Sequence, residues 1–108
     1  MTLSAAEAVD IVYTRRYPLH VEIIWDEQKN TWLKETRGAS FEEIAGIIIV
    51  EQYLDIAENP TRDNQENFVV SLHNYTWLVP FLVDEVGRIV LKTAYPSRKA
   101  HKLYGRKQ

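Results

Sequence analysis

The apolar residues of this chain change their period at Glu51, and that switch limits what the chain can fold into. Before it, Phe41, Ile44, Ala45 and Ile48 recur at helical spacing and fall on one face. After it, Glu66–Leu72 and Tyr75–Val83 are β-rich runs separated by His73-Asn74, which has the form of a two-residue hairpin turn. Such a sheet carries an apolar face that the preceding helices must cover, so the expected class is α+β.

Local signals give the order of the remaining elements. Val21, Ile23 and Trp25 alternate with His20, Glu22 and Ile24, a strand pattern, and Asp26 is placed to cap a helix over Glu27–Thr36. Arg37-Gly38 closes that helix, with glycine suited to a left-handed C′ position. Ser40 and Glu43 have the spacing of a capping box and open the second helix. Tyr53–Ala57 reads as a strand and Glu58–Gln65 as a polar loop with Asn59-Pro60 and Asp63-Asn64. Pro80 interrupts the Tyr75–Val83 run and implies a bulge or an outward-facing edge position, because it cannot donate a ladder bond. Asp84–Gly87 makes the next turn and Arg88–Tyr95 the next strand; Pro96-Ser97 then stops it and caps a short helix, Arg98–Tyr104, ending at Gly105. The predicted order is β-α-α-β-β-β-β-α, with a late antiparallel meander. Residues 1–19 stand apart as an N-terminal extension, helical through the Ser4–Glu7 capping box or frayed, and residues 20–108 form the domain.

Charge is distributed unevenly. The formal net charge is −2, yet every acidic residue lies at or before Glu85. The stretch Val86–Gln108 holds Arg88, Lys92, Arg98, Lys99, Lys102, Arg106 and Lys107, with Tyr95, His101 and Tyr104 interleaved. A phosphate-bearing partner senses the local field rather than the total, so this end points towards nucleic acid. Arg88 and Lys92 alternate with Ile89 and Leu91 and are expected on one sheet face, while Arg98 and Lys102 share a helix side by their i, i+4 spacing. A solvated charged face with cations near a helix C-terminus is the competing explanation.

Other chemistries are excluded or disfavoured. The absence of cysteine removes disulfides, thiol catalysis and thiolate metal sites. Glycines at 38, 46, 87 and 105 make no phosphate-binding loop, and His20, His73 and His101 lack metal-ligand spacing, so neither a metal nor another cofactor is expected. Glu42-Glu43 is better explained by capping and a solvated helix face than as an acid/base pair. No run approaches the roughly 20 apolar residues of a membrane span. The start lacks a secretion leader, so a cytoplasmic location is expected.

Three pieces taken in order, Trp25-Asp26-Glu-Gln-Lys29-Asn30, Arg37-Gly38-Ala39-Ser40-Phe41-Glu42-Glu43 and Ser97-Arg98-Lys99-Ala100, resemble the BrnT family of bacterial type II toxin–antitoxin systems. The resemblance spans about residues 20–105. It implies a RelE-like fold, a curved antiparallel sheet with two early helices on one face and a short terminal helix. It further implies an mRNA-cleaving ribonuclease that arrests translation, acts without metal through 2′-hydroxyl attack, and is neutralised by an antitoxin of ribbon-helix-helix DNA-binding type. The chain departs from the family where Lys-His-Gly is replaced by Thr36-Arg37-Gly38, so no histidine base is carried to that position, and Tyr75–Phe81 is more aromatic than usual.

Attack by a 2′-hydroxyl requires a proton acceptor, cations at the phosphorane-like transition state and a donor for the leaving oxygen. Arg98, Lys99 and Lys92 are the expected phosphate clamp, with Lys29 and Arg37 approaching from the first helix. Arg88 and Lys102 are further RNA-binding candidates, and Tyr95 or His101 the proton-transfer candidate. Trp25 fits the core better than a base-stacking role; Trp32, Trp77 and Phe81 read as packing or antitoxin-contact residues. The alternative to a nuclease is a non-catalytic RNA- or protein-binding module on the same scaffold, the latter pairing through the aromatic Tyr75–Phe81 strand.

Overall fold

The hairpin at His73-Asn74 sets the register of the sheet. Both residues adopt positive φ, 53° and 63°, the type I′ geometry whose twist matches that of the strands it joins. From it run β3 (Glu66–Leu72) and β4 (Tyr75–Val83), paired from Leu72↔Tyr75 to Glu66↔Phe81 and spanning the runs read from the sequence. The computed structural model describes residues 21–62 and 65–105. The expected Ser4 helix, His20, Asp63-Asn64, Arg106 and Lys107 lie outside them.

Around this pair stand β1 (Ile23–Trp25), α1 (Glu27–Arg37), α2 (Phe41–Ile49), β2 (Asp55–Glu58), β5 (Ile89–Leu91), β6 (Tyr95–Pro96) and α3 (Arg98–Tyr104). The described residues thus form an α+β fold of three helices and a six-stranded, mostly antiparallel sheet in the order β1-β5-β4-β3-β2, with β6 also on β4. The departure from antiparallel pairing is β1, which lies parallel to β5 with Ile23↔Ile89 in register. β2 starts at Asp55, two residues later than the expected Tyr53; Leu54 already donates its N–H to the Val69 carbonyl.

One sheet face carries the core. Ile23, Phe68, Val70, Leu72, Trp77, Val79, Phe81, Ile89 and Leu91 are buried there with Leu33 of α1 and Phe41, Ile44, Ala45 and Ile48 of α2. The early helices therefore cover one face, as the period switch requires. Across the opposite face the register sets Asp55, Val69, Leu78 and Tyr95 abreast. There α3 packs against β4, and Tyr104 donates its hydroxyl to Asp55 Oδ2 at 2.7 Å.

The two early helices are joined by a polar group rather than by apolar contact alone. Asn30, 0% exposed, accepts from the Phe41 N–H at 2.8 Å and donates to Glu42 Oε1 at 2.8 Å and Glu27 Oε1 at 3.3 Å. One amide thereby satisfies an orphan N–H at the start of α2 and ties it to α1. The Ser40–Glu43 capping box forms as expected. Glu42 is exposed, as read from sequence, and also accepts from Asn30, and that hydrogen bond is the chief cause holding its carboxyl below the ordinary value of 4.5.

Asn30→Ala leaves the buried Phe41 N–H without its acceptor and costs about 2–3 kcal/mol, read as a lower urea midpoint at unchanged m. In the same variant the Glu42 carboxyl, followed by NMR, titrates closer to 4.5. A lowered folded value stabilises above the unfolded value and the contribution disappears as pH falls through the folded one. The variant's deficit relative to the native chain therefore shrinks in acid.

Candidate functional site

Pro80 shapes the edge on which the cations gather. Lys92 donates its N–H to the Pro80 carbonyl at 2.8 Å, but Pro80 has no N–H to return, so the pair makes one bond where two are normal. Beyond it the register shifts: Leu82↔Val90 and Phe81↔Leu91 give way to Leu78↔Tyr95 and Trp77↔Pro96, with one extra residue on the β5–β6 side. This is a β-bulge over Lys92–Ala94. The single strand expected over Arg88–Tyr95 is accordingly divided into β5 and β6, and the bulge inferred from Pro80 falls on its partner strand.

The bulge frees a carbonyl that α1 takes up. Arg37 Nη1 donates to the Ala94 oxygen at 2.6 Å, which fixes the last turn of α1 against the sheet edge. The same guanidinium lies over the Trp32 ring, 4.7 Å from its centroid, and Lys29 Nζ lies 5.2 Å from that centroid. Trp32 is 41% exposed, so of the two roles expected from sequence, packing or partner contact, it does not serve the first. At the other end of α1, Lys29 and Lys92 line one open groove of about 570 Å³ with Asp26, Gln28, Val90 and Leu91. Asp26 Oδ1 is engaged there by the N–H groups of Gln28 and Lys29.

The remaining candidates lie elsewhere. Ser97 donates its N–H to Thr76 and caps α3 through its hydroxyl, so α3 starts four residues along β4 from the Pro80–Lys92 contact, about 13 Å at the rise of a strand. Arg98, Lys99 and Lys102 are exposed on α3, and no acidic side chain among the described residues forms an ion pair with them or with Lys92. Tyr95 is half-buried opposite Leu78. His101 stacks on Tyr75 at 4.1 Å, 16° from parallel, and its Nδ1 is 2.9 Å from Thr76 Oγ1.

Arg88, expected on one sheet face with Lys92, has an acidic partner of its own. It precedes β5 and turns back to Asp84, its Nε donating to Oδ2 at 2.7 Å and its N–H to Oδ1 at 2.9 Å. The Asp84–Gly87 turn needs that partner, and these hydrogen bonds hold the Asp84 carboxyl below its ordinary value. The cations thus form two groups about the β5–β6 bulge: Lys29, Arg37 and Lys92 around Trp32 and the groove, and Arg98, Lys99 and Lys102 on α3 beside His101 and Tyr95. Sequence reasoning missed the aromatic centre of the first group; Trp32 stands three residues after Lys29 and five before Arg37, a spacing that puts one cation on the turn before it and one on the turn after.

No family model matches the chain, no curated protein matches it, and neither does any solved structure. Among the described residues no three His, Asp or Glu side chains stand together as a metal site, and no helix is long and apolar enough to cross a membrane.

Replacing Arg37 by Met keeps the stem but removes the bond to Ala94. The expected loss is about 1 kcal/mol of stability, measured by urea unfolding, together with a shift of the Ala94 carbonyl resonance. Arg37→Lys does not restore it fully, since an ammonium cannot reproduce a planar fork that both donates and stacks.

Proposed function

We propose that this chain binds single-stranded RNA along the β5–β6 edge and, as its motifs resembling BrnT imply, acts as the toxin of a type II toxin–antitoxin pair by cleaving mRNA. The observation that carries the binding step is the groove shared by Lys29 and Lys92, cations from two separate elements facing one open space. The α+β order, with two early helices on one sheet face and a short terminal helix, is consistent with a RelE-like arrangement. The cognate partner on this reading is a ribbon-helix-helix antitoxin, the site of action is the cytoplasm, and residues 20–108 are the toxin domain.

In this reading the phosphate backbone follows the edge from the groove to α3. Lys29 and Lys92 hold phosphates upstream or downstream of the cut, and Arg98 and Lys99 stabilise charge on the phosphate under attack. His101 or Tyr95, beside that second group, takes or returns the proton. A second reading is favoured by one observation: His101 is already engaged by Thr76 and Tyr75, and Tyr95 is half-buried, so neither is presented at the groove. On that reading the protein holds RNA without cutting it.

Controlled expression without a partner separates the two. Cleavage predicts growth arrest with broken transcripts, relieved by Arg98→Ala with Lys99→Ala; intact RNA and undisturbed growth overturn it. For binding, the affinity for single-stranded RNA falls with salt, and Lys29→Ala with Lys92→Ala flattens the log–log slope by about 1.4, two phosphates at 0.7 each. An affinity insensitive to salt removes the phosphate-driven reading altogether.

A further inference from the structure

Trp32 is an exposed indole on the polar side of α1, with two cations over its ring whose own positions differ in kind. Arg37 is fixed, because its guanidinium is hydrogen-bonded to the Ala94 carbonyl while it lies over the ring. Lys29 has no such anchor: its ammonium stands 5.2 Å from the ring centroid, and the same side chain lines the groove with Lys92. Of the two cations over the indole, one is therefore a fixed planar group and the other a flexible one that also lines the groove. A cation at an exposed ring contributes only about 0.5–1 kcal/mol, whereas an unpaired base stacked on an aromatic side chain contributes about 1–3 kcal/mol. Exchange of the Lys29 contact for a base is favourable on those magnitudes, and it releases the ammonium to a phosphate.

We propose that Trp32 is a nucleobase subsite, in which one unpaired base of a single strand stacks on the indole in place of Lys29 while Lys29 and Lys92 hold the neighbouring phosphate. This rests on the RNA-binding reading and adds to it a residue with a defined part, base stacking without sequence readout. Stacking tolerates any base, since each has a π-face, so the subsite supplies affinity for unpaired strands over duplexes.

The test uses the full chain with a short single-stranded RNA, the same RNA carrying abasic positions, inorganic polyphosphate and polyglutamate. Trp32→Ala should weaken binding of the intact RNA about 5- to 150-fold, the range that 1–3 kcal/mol of stacking converts to. It should leave the salt slope and the affinity for abasic RNA and polyphosphate unchanged, and Trp32→Phe should recover most of the loss. Three outcomes overturn the subsite alone while leaving RNA binding intact: Trp32→Ala binding as tightly as the native chain, an equal loss on abasic RNA, or Trp32→Phe behaving as Trp32→Ala. Polyglutamate binding that depends on Trp32 as strongly as RNA binding does also overturns it, in favour of an acidic protein surface. If the native chain binds no RNA, both the subsite and the reading beneath it fail.

Discussion

A missing hydrogen-bond donor at Pro80 governs the functional edge of this protein. A proline in the middle of a central strand normally costs a ladder bond and is avoided. Here the unreturned bond to Lys92 ends one register, and the inserted residue begins another that brings Tyr95 opposite Leu78. The bulge leaves the Ala94 carbonyl for Arg37, and that single contact joins the end of α1 to the sheet edge. The indole of Trp32 is then held because Arg37 is held. Pro80 meets the cations only through the backbone N–H of Lys92, yet it determines where the backbone between β5 and β6 lets them stand.

The same logic of satisfying a stranded polar group recurs at the other end of the helical layer. Asn30 is completely buried and would be costly there without partners. With Phe41, Glu42 and Glu27 around it, the amide becomes the fixed point between α1 and α2. Apolar burial can hold two helices on a sheet in several sliding positions, whereas an amide with one acceptor and two donors fits one. The position of α1 is thus determined twice, by Asn30 near its start and by Arg37 at its end; Lys29 stands next to the first point and Trp32 between the two.

What was legible in the sequence follows from which interactions are local. The capped helices, the hairpin with its two left-handed residues and the terminal helix rest on contacts within a few residues, and the sequence displays those directly. The parallel pairing of β1 with β5 joins residues about 66 apart, Ile23 with Ile89, and no local pattern encodes it. Pro80 signalled a bulge, but not that the extra residue would lie on the neighbouring strand, because the count belongs to the pair. Alternation places Arg88 on one face with Lys92 but does not show its partner, which the turn supplies, since Asp84 is four residues away and already accepts its N–H. Of the candidate site, the residue types and the edge were legible. The division into two groups was not, because it depends on the register shift.

The acidic composition and the cationic edge are compatible for the same reason. Much of the negative charge is consumed locally. Asp26 caps α1, Glu43 closes the capping box and meets His73 at 2.9 Å, Glu42 serves Asn30, Asp84 binds Arg88, and Asp55 accepts from Tyr104. A carboxylate already accepting hydrogen bonds is fixed in place, and its field acts mainly on its own turn within a Debye length of about 8 Å at physiological ionic strength. Lys29, Lys92, Arg98, Lys99 and Lys102 are exposed and form no ion pairs with acids among the described residues. A polyanion in the groove meets Lys29 and Lys92 together with Asp26, whose Oδ1 is already engaged by the N–H groups of Gln28 and Lys29. A net charge of −2 is then no obstacle to phosphate binding, and the strength of that binding is set by how many edge cations one strand can touch at once.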